Sequence, residues 1–150
     1  MTPMVTTYRK RPLRHSSSSP AAQPKRRGVA AAELAVCLPI VVLLVLATIE
    51  ACTMVFLKQS LTVASYEGVR TALVKGATAQ DVQTACKQIL TDRKVGGAIV
   101  TVSPANLPAL NPGDLVDVTV TAPCGPNSAI PIMFYQGKSL TTTASMMIEF

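Results

Sequence analysis

The feature that most restricts the fold is a long apolar run near the N-terminus. Residues 34–49 carry no charged side chain, and Glu50 is the only charged residue before Lys58. As a helix, residues 34–57 would rise about 36 Å, which exceeds a hydrocarbon core of roughly 30 Å. The run therefore predicts one membrane-spanning helix over residues 29–57.

Positive charge is concentrated before this run. Residues 1–28 contain seven Lys/Arg and no acid, whereas residues 29–150 contain the other seven bases and all eight acids. A basic tail is also typical of nucleic-acid-binding arms. Its position directly before an apolar run favours a cytoplasmic flank instead, with residues 58–150 exported. We expect residues 1–28 to be a disordered leader and expect no nucleic-acid partner.

Three kinds of N-terminal segment compete for this pattern. A secretory signal has a shorter apolar core and a small-residue cleavage site. A lipoprotein signal would place Cys52 after a small residue, but the residues around it are a poor match. The third is a prepilin-type site, in which a membrane peptidase cuts after Gly28 and Glu33 becomes the fifth residue of the mature chain. That cut removes the seven bases and leaves a new α-amine on Val29.

The position of Glu33 suggests a role in assembly. A carboxylate at the bilayer centre costs on the order of 2.5–3.5 kcal/mol, but the first helical turn lies nearer the interface, where the helix dipole favours an anion. An α-amine on Val29 titrates near ~8 and is largely cationic at neutral pH. Glu33 of one subunit is therefore expected to pair with Val29 of a neighbour and fix their axial register. The alternative is that Glu33 only marks the lipid–water boundary.

Residues 26–74 combine Gly28, Glu33, Pro39, Glu50 and the segment Ala64-Ser65-Tyr66-Glu67-Gly68-Val69-Arg70. In this combination the stretch resembles the TadE-like pseudopilin family of tight-adherence (Flp) pilus systems. Leu34 departs from the family, which often has an aromatic residue there, and the leader is long. The resemblance implies a minor pilin or pseudopilin in a bacterial inner membrane. It also implies processing by a prepilin peptidase and assembly with other pilin or pseudopilin subunits.

Two further residues of the run have open roles. Pro39 lacks an N–H and predicts a kink in the helix. Glu50 follows Glu33 by 17 residues, which places the two carboxylates about 260° apart around a helix. They cannot form one catalytic or metal-binding pair. Glu50 is expected either to reach the exported interface, which we favour, or to bind a partner helix.

The exported part has helical and then alternating patterns. Helical character extends to Val74 and ends by Gly76, with Gly68 indicating either close helix packing or a break. A second helix is expected from Thr78, capped by Asp81, to near Asp92. Its apolar face is predicted to comprise Val82, Ala85, Cys86 and Ile89.

Three segments alternate with a period of two, as strands do: residues 99–102, 115–121 and 140–150. Residues 123–138 form a loop rich in Pro and Gly, where a partner contact is expected. The sequence therefore predicts an α+β fold with a long membrane-spanning helix, a short second helix and a small three-stranded antiparallel sheet.

The four cysteines fall into two groups. Cys37 and Cys52 lie in the apolar run and are expected to pack as small apolar residues. Cys86 and Cys124 lie in the exported part, where a disulfide can persist and would contribute roughly 2–4 kcal/mol. We expect this disulfide; the alternative is two free thiols, with Cys86 packed on its helix face.

No pattern of catalytic residues is present. The single histidine, His15, belongs to the leader, and there is no CxxC motif or phosphate-binding loop. We therefore expect no enzymatic activity, metal, cofactor or small-molecule substrate. The leading hypothesis is a structural pilus component. The alternative is a membrane-anchored or lipidated exported binding module that is not part of a filament.

Overall fold

A computed structural model describes residues 26–129 and 135–149. The chain divides into two units, Met1–Cys37 and Leu38–Phe150. The elements in chain order are helices α1 (Arg26–Ala72) and α2 (Ala79–Asp92), then strands β1 (Ile99–Ser103), β2 (Leu115–Pro123) and β3 (Ser139–Met147). Short 3-10 turns occupy Leu107–Ala109 and Gly125–Asn127. The predicted α+β class, with its long and short helices and three-stranded antiparallel sheet, is confirmed.

Helix α1 begins earlier and ends slightly earlier than predicted. Arg26 and Gly28 are already helical, so the helix starts before the predicted cut site, and the rest of the leader lies outside the described residues. At the other end, the Leu73 N–H is shared between the carbonyls of Val69 and Arg70, both at 3.3 Å. Gly76 has φ +83°, a conformation that glycine adopts without the steric cost of a side chain. The chain therefore leaves the helix just before this glycine.

Helix α2 is set by its N-terminal cap, as predicted. The Asp81 carboxylate accepts a hydrogen bond from the Thr78 N–H at 2.9 Å, and the Thr78 hydroxyl oxygen accepts from the Asp81 N–H at 3.4 Å. The hydrogen bonds from Thr78 lower the pKa of Asp81. The buried face consists of Val82, Cys86 and Leu90. Leu90 was not predicted for that face; Ile89 is half-buried beside it.

The three strands form one antiparallel sheet with β2 in the centre. Its residues Val116, Val118 and Val120 are fully buried, because alternate side chains of a strand share one face. On the other face, hydroxyl pairs link β2 to β3, as between Thr119 and Thr143 at 2.9 Å. Strand β3 ends at Met147, before the predicted end at residue 150. The sheet therefore presents one apolar face to the helices and one polar face outward.

The core joins both helices to the sheet. On α1, Met54, Leu57 and Leu61 are at most 5% exposed and belong to the same cluster as the β2 valines. Lys58, which follows Leu57, donates a hydrogen bond to the Thr141 carbonyl of β3 at 2.6 Å. Packing between α1 and the rest of this unit therefore starts before residue 58, the predicted beginning of the exported domain.

Candidate functional site

The predicted processing site lies in the first turns of α1. Gly28, Val29 and Glu33 are all exposed, and a Cβ atom placed on Gly28 would have no neighbour within 4 Å. The Glu33 carboxylate forms no hydrogen bond or ion pair with any residue that the structure describes. The peptide bond after Gly28 and the Glu33 carboxylate are thus unobstructed by the described side chains.

The helix around these residues has the properties of a membrane span. Apolar side chains such as Val29 and Leu34 are 59% and 63% exposed, and Leu43 is 66% exposed. Within the described part of the chain, α1 alone is long and apolar enough to cross a bilayer, and its most apolar window is not buried. A core helix of a soluble protein would be covered. The observation supports a single-pass membrane anchor.

Pro39 lies within this exposed segment. Helix α1 continues through it without a break in secondary structure. Because proline lacks an N–H and its ring clashes with the carbonyl four residues earlier, it disturbs the helix locally. The kink itself stays a prediction.

Glu50 lies on the face of α1 that packs in the core. It begins a series spaced by four and three residues, Glu50, Met54, Leu57, Leu61 and Ala64, all of them buried. Glu50 is only 1% exposed, so its favoured role, reaching the interface, does not hold in the structure. Further along the same helix, Ala64 and Gly68 contact Cys86 of α2, and Gly68 also lies against Val118 of β2.

The Glu50 carboxylate is moreover unpaired. Neither of its oxygens has a hydrogen-bond partner among residues 26–129 and 135–149. A buried polar group without a partner costs on the order of 1–3 kcal/mol, and more if it is charged. The four-three spacing in the sequence could have revealed the burial of Glu50, since it continues the apolar series of Met54 and Leu57.

Helices α1 and α2 approach each other closely at Gly68. A Cβ atom on Gly68 would lie well under 3.0 Å from the Cys86 sulfur and 3.0 Å from Cγ1 of Val118 on β2. The glycine therefore serves close packing and not a helix break, which decides between the two interpretations of the sequence. The neighbouring Glu67 and Arg70 form the expected exposed ion pair at 3.7 Å.

The predicted disulfide is not formed in the structure. Cys86 and Cys124 are both buried free thiols. Cys86 faces α1, where its thiol donates a hydrogen bond to the Ala64 carbonyl at 3.3 Å. Burial raises the pKa of Cys86 to about 11 and also raises the pKa of Cys124. The prediction was wrong for this state because Cys86 is part of the helix–helix contact. Cys37 and Cys52 are exposed on α1.

Within residues 26–129 and 135–149, no three His, Cys, Asp or Glu side chains lie close enough together to hold a metal ion. The described residues do include an accessible Gly28–Val29 bond, an exposed Glu33 and a buried Glu50 without a hydrogen-bond partner among them.

Comparison with known proteins adds one match. The profile of the family described as TadE-like protein matches residues 28–70. Residues 28–70 are a TadE-like segment. The match begins at Gly28, includes Glu33 and Glu50, and ends at Arg70, and it confirms the resemblance noted in the sequence. It associates this segment with tight-adherence pilus assembly and pilus subunits in general. No curated protein and no solved structure matches the chain.

Proposed function

We propose that the chain is a TadE-like minor pilin or pseudopilin, a structural and non-enzymatic component in the assembly of a tight-adherence pilus. The observation that carries the proposal is the TadE-like match over residues 28–70, which starts at the glycine of the prepilin-type site. The exposed apolar surface of α1 supports it, since such a helix needs lipid or other helices around it.

In this proposal the chain is inserted with its N-terminus in the cytoplasm and its C-terminal part exported across a bacterial inner membrane. The three bases Lys25, Arg26 and Arg27 precede the span, and Lys58 follows it. This asymmetry matches the rule that positive residues flank the cytoplasmic end. A prepilin peptidase then cuts between Gly28 and Val29. Glycine weakens a helix by about 1 kcal/mol relative to alanine, so this turn opens more easily for cleavage.

Cutting changes the charge at the end of α1. The seven bases of residues 1–28 are removed, and one α-amine appears on Val29. Glu33 lacks a partner within the described part of its own chain, so its carboxylate is free to pair with the Val29 α-amine of a neighbouring subunit. Such a pair, shielded by apolar helices, fixes the axial register of two neighbouring chains. Apolar side chains alone would specify that register poorly.

The test uses Glu33→Ala in a strain with the complete pilus system, with Glu67→Ala as the matched control. Glu67 is also an α1 carboxylate, and among the residues that the structure describes it pairs with exposed Arg70 alone. We expect Glu33→Ala to insert and be cut normally and to lose incorporation into the assembly, whereas Glu67→Ala behaves like the wild type. Normal incorporation of Glu33→Ala would refute the register role. A tethered binding module outside any filament would be unaffected by either substitution.

A further inference from the structure

A cleft of about 880 Å³ lies beside the last apolar turn of α1. Its floor includes Thr53, Phe56 and Leu57 of α1. Its walls are the turn after α2, residues 92–95, and the loop of residues 126–129. All of these elements belong to the unit Leu38–Phe150. The proposed pilus role does not involve this cleft.

The walls of the cleft are held in place by a side-chain clamp. The Asn127 side chain accepts a hydrogen bond from the Gly96 N–H at 2.8 Å and donates to the Gly96 carbonyl at 2.9 Å. It also donates to the Pro123 carbonyl at 2.7 Å. One asparagine thus joins the turn after α2 to the loop after β2, so the two walls form a built cleft.

The turn after α2 gives the cleft its charge. Arg93 and Lys94 both line it, and neither forms an ion pair with a residue in the described ranges. The single acid of the lining, Asp92, already accepts a hydrogen bond from the Gln88 side chain at 3.1 Å. The side chains of the lining therefore carry a net formal charge of +1, from two bases and one acid.

Lys94 has a left-handed backbone conformation, which glycine or asparagine adopts more often than lysine. Its φ is +57°, in the left-handed region where helices end with glycine or asparagine. The Val95 N–H closes this turn by donating to the Leu90 carbonyl at 2.8 Å. A lysine here is less favourable for the fold than a glycine, yet it places an ammonium group at the cleft.

The position of the floor identifies the kind of ligand. Thr53, Phe56 and Leu57 are the last turn of the apolar run, and Lys58 is the first base beyond it. In a membrane-spanning helix, the end of the apolar run is expected where acyl chains give way to headgroups. Phe56 is 51% exposed and lines the same cleft as the two bases, so the cleft combines an apolar surface with positive charge. A ligand that fits has an anionic head and an apolar tail.

We propose that this cleft binds one anionic phospholipid of the leaflet at the Lys58 end of the span. Its phosphate lies against Arg93 and Lys94, and the upper part of its acyl chain packs on Phe56. Arginine and lysine both bind phosphate well, through charge and hydrogen bonds. The bound lipid fixes the height of the head above the membrane surface. This inference requires the membrane anchor but not the pilus role.

The test is native mass spectrometry of the full-length chain released from mixed micelles, with phosphatidylglycerol or phosphatidylcholine added in equal amounts. The test variant is Arg93→Gln/Lys94→Gln. The control is Lys75→Gln/Lys87→Gln, which removes the same charge from exposed residues outside the cleft lining. We expect the wild type and the control to retain one phosphatidylglycerol. The test variant should bind it roughly thirtyfold more weakly, since each of the two removed bases contributes about 1 kcal/mol near a lipid surface.

Each other outcome overturns the proposal. Equal retention of the two lipids shows that the cleft does not select an anion, and equal losses in both double variants show attraction to the surface in general. Displacement of the lipid by millimolar inorganic phosphate identifies a free-anion site. Lys94→Gly serves as the folding control, because it removes the ammonium and suits the positive φ. It should keep the thermal stability of the wild type and still lose lipid.

Discussion

Replacing Gly68 by alanine tests how α1 is joined to the rest of its unit. The added methyl group would overlap the Cys86 sulfur and press on Cγ1 of Val118, which lies 3.0 Å from the Cβ position. Both neighbours belong to other elements, and both residues are 0% exposed. The Cys86 thiol is further held by its hydrogen bond to Ala64. The sulfur therefore has little room to retreat.

The magnitude follows from two opposing effects. Overpacking a filled core costs typically 1–3 kcal/mol, and an overlap with two elements should fall near the upper end, at about 3 kcal/mol. Alanine is better than glycine in a helix by about 1 kcal/mol. The net expectation for Gly68→Ala is a loss of about 2 kcal/mol in the free energy of unfolding. For a domain of this size, that lowers the Tm by roughly 10 °C.

The assay is the labelling of Cys124, a buried thiol that reacts only when the core opens. The full-length chain is used in detergent under reducing conditions, with Cys37 and Cys52 replaced by alanine so that exposed thiols do not contribute. A loss of 2 kcal/mol should raise the labelling rate by about thirtyfold.

Two further variants isolate the cause. Gly125→Ala is the matched control, because a Cβ there has no neighbour within 4 Å. It should leave the labelling rate nearly unchanged. Adding Cys86→Ala to Gly68→Ala removes the main overlap and should recover about 1 kcal/mol relative to the sum of the single substitutions. If Gly68→Ala is as stable as the wild type or more so, helix propensity outweighs packing and the reasoning about this contact is wrong.

Three other substitutions or conditions give distinct outcomes. Glu50→Met replaces a buried, unpaired carboxylate by an apolar side chain of similar length and should stabilise the chain by about 1–3 kcal/mol in a denaturant titration; destabilisation would show that the carboxylate has a partner. Lys94→Gly relieves a positive φ and should leave the Tm unchanged or raise it by a few degrees; a clear fall would contradict the turn geometry. Since burial raises the pKa of Cys86 to about 11, stability should be full below about pH 9 and fall as the pH approaches 11, because the unfolded thiol loses its proton first. Cys86→Ala should remove that part of the pH dependence, and an unchanged profile would contradict it.

Local signals in the sequence were sufficient for most of the fold. Thr78 and Asp81 form a capping box whose partners are three residues apart, so the start of α2 depends on neighbours only. The alternation of valines in β2 likewise predicts by itself which face of the strand is buried. Chain ends were less predictable: β3 stops at Met147 although the alternation continues, because pairing with β2 ends at Leu115.

The candidate site depended more on tertiary contacts. Gly68 left two interpretations open until Cys86 was seen to pack against it, and in that position Cys86 is a buried free thiol, as is Cys124. Glu50 was expected at the interface because its charge argued against burial, but its position in the four-three series places it in the core. By contrast, Gly28 and Glu33 were singled out by their spacing alone; both are exposed in the structure, and cleavage after Gly28 stays a prediction.

The proposed pilus role requires that residues 1–28 are removed, so that Val29 is the first residue of the mature protein. The intact mass of the protein extracted from membranes of cells that contain the prepilin peptidase, together with its N-terminal peptide, tests this removal. We expect a chain that begins at Val29 and a Gly28→Val variant that keeps all 150 residues. A wild-type mass that still includes the leader, or a lipid-modified Cys52 as the first residue, would refute the proposed cleavage.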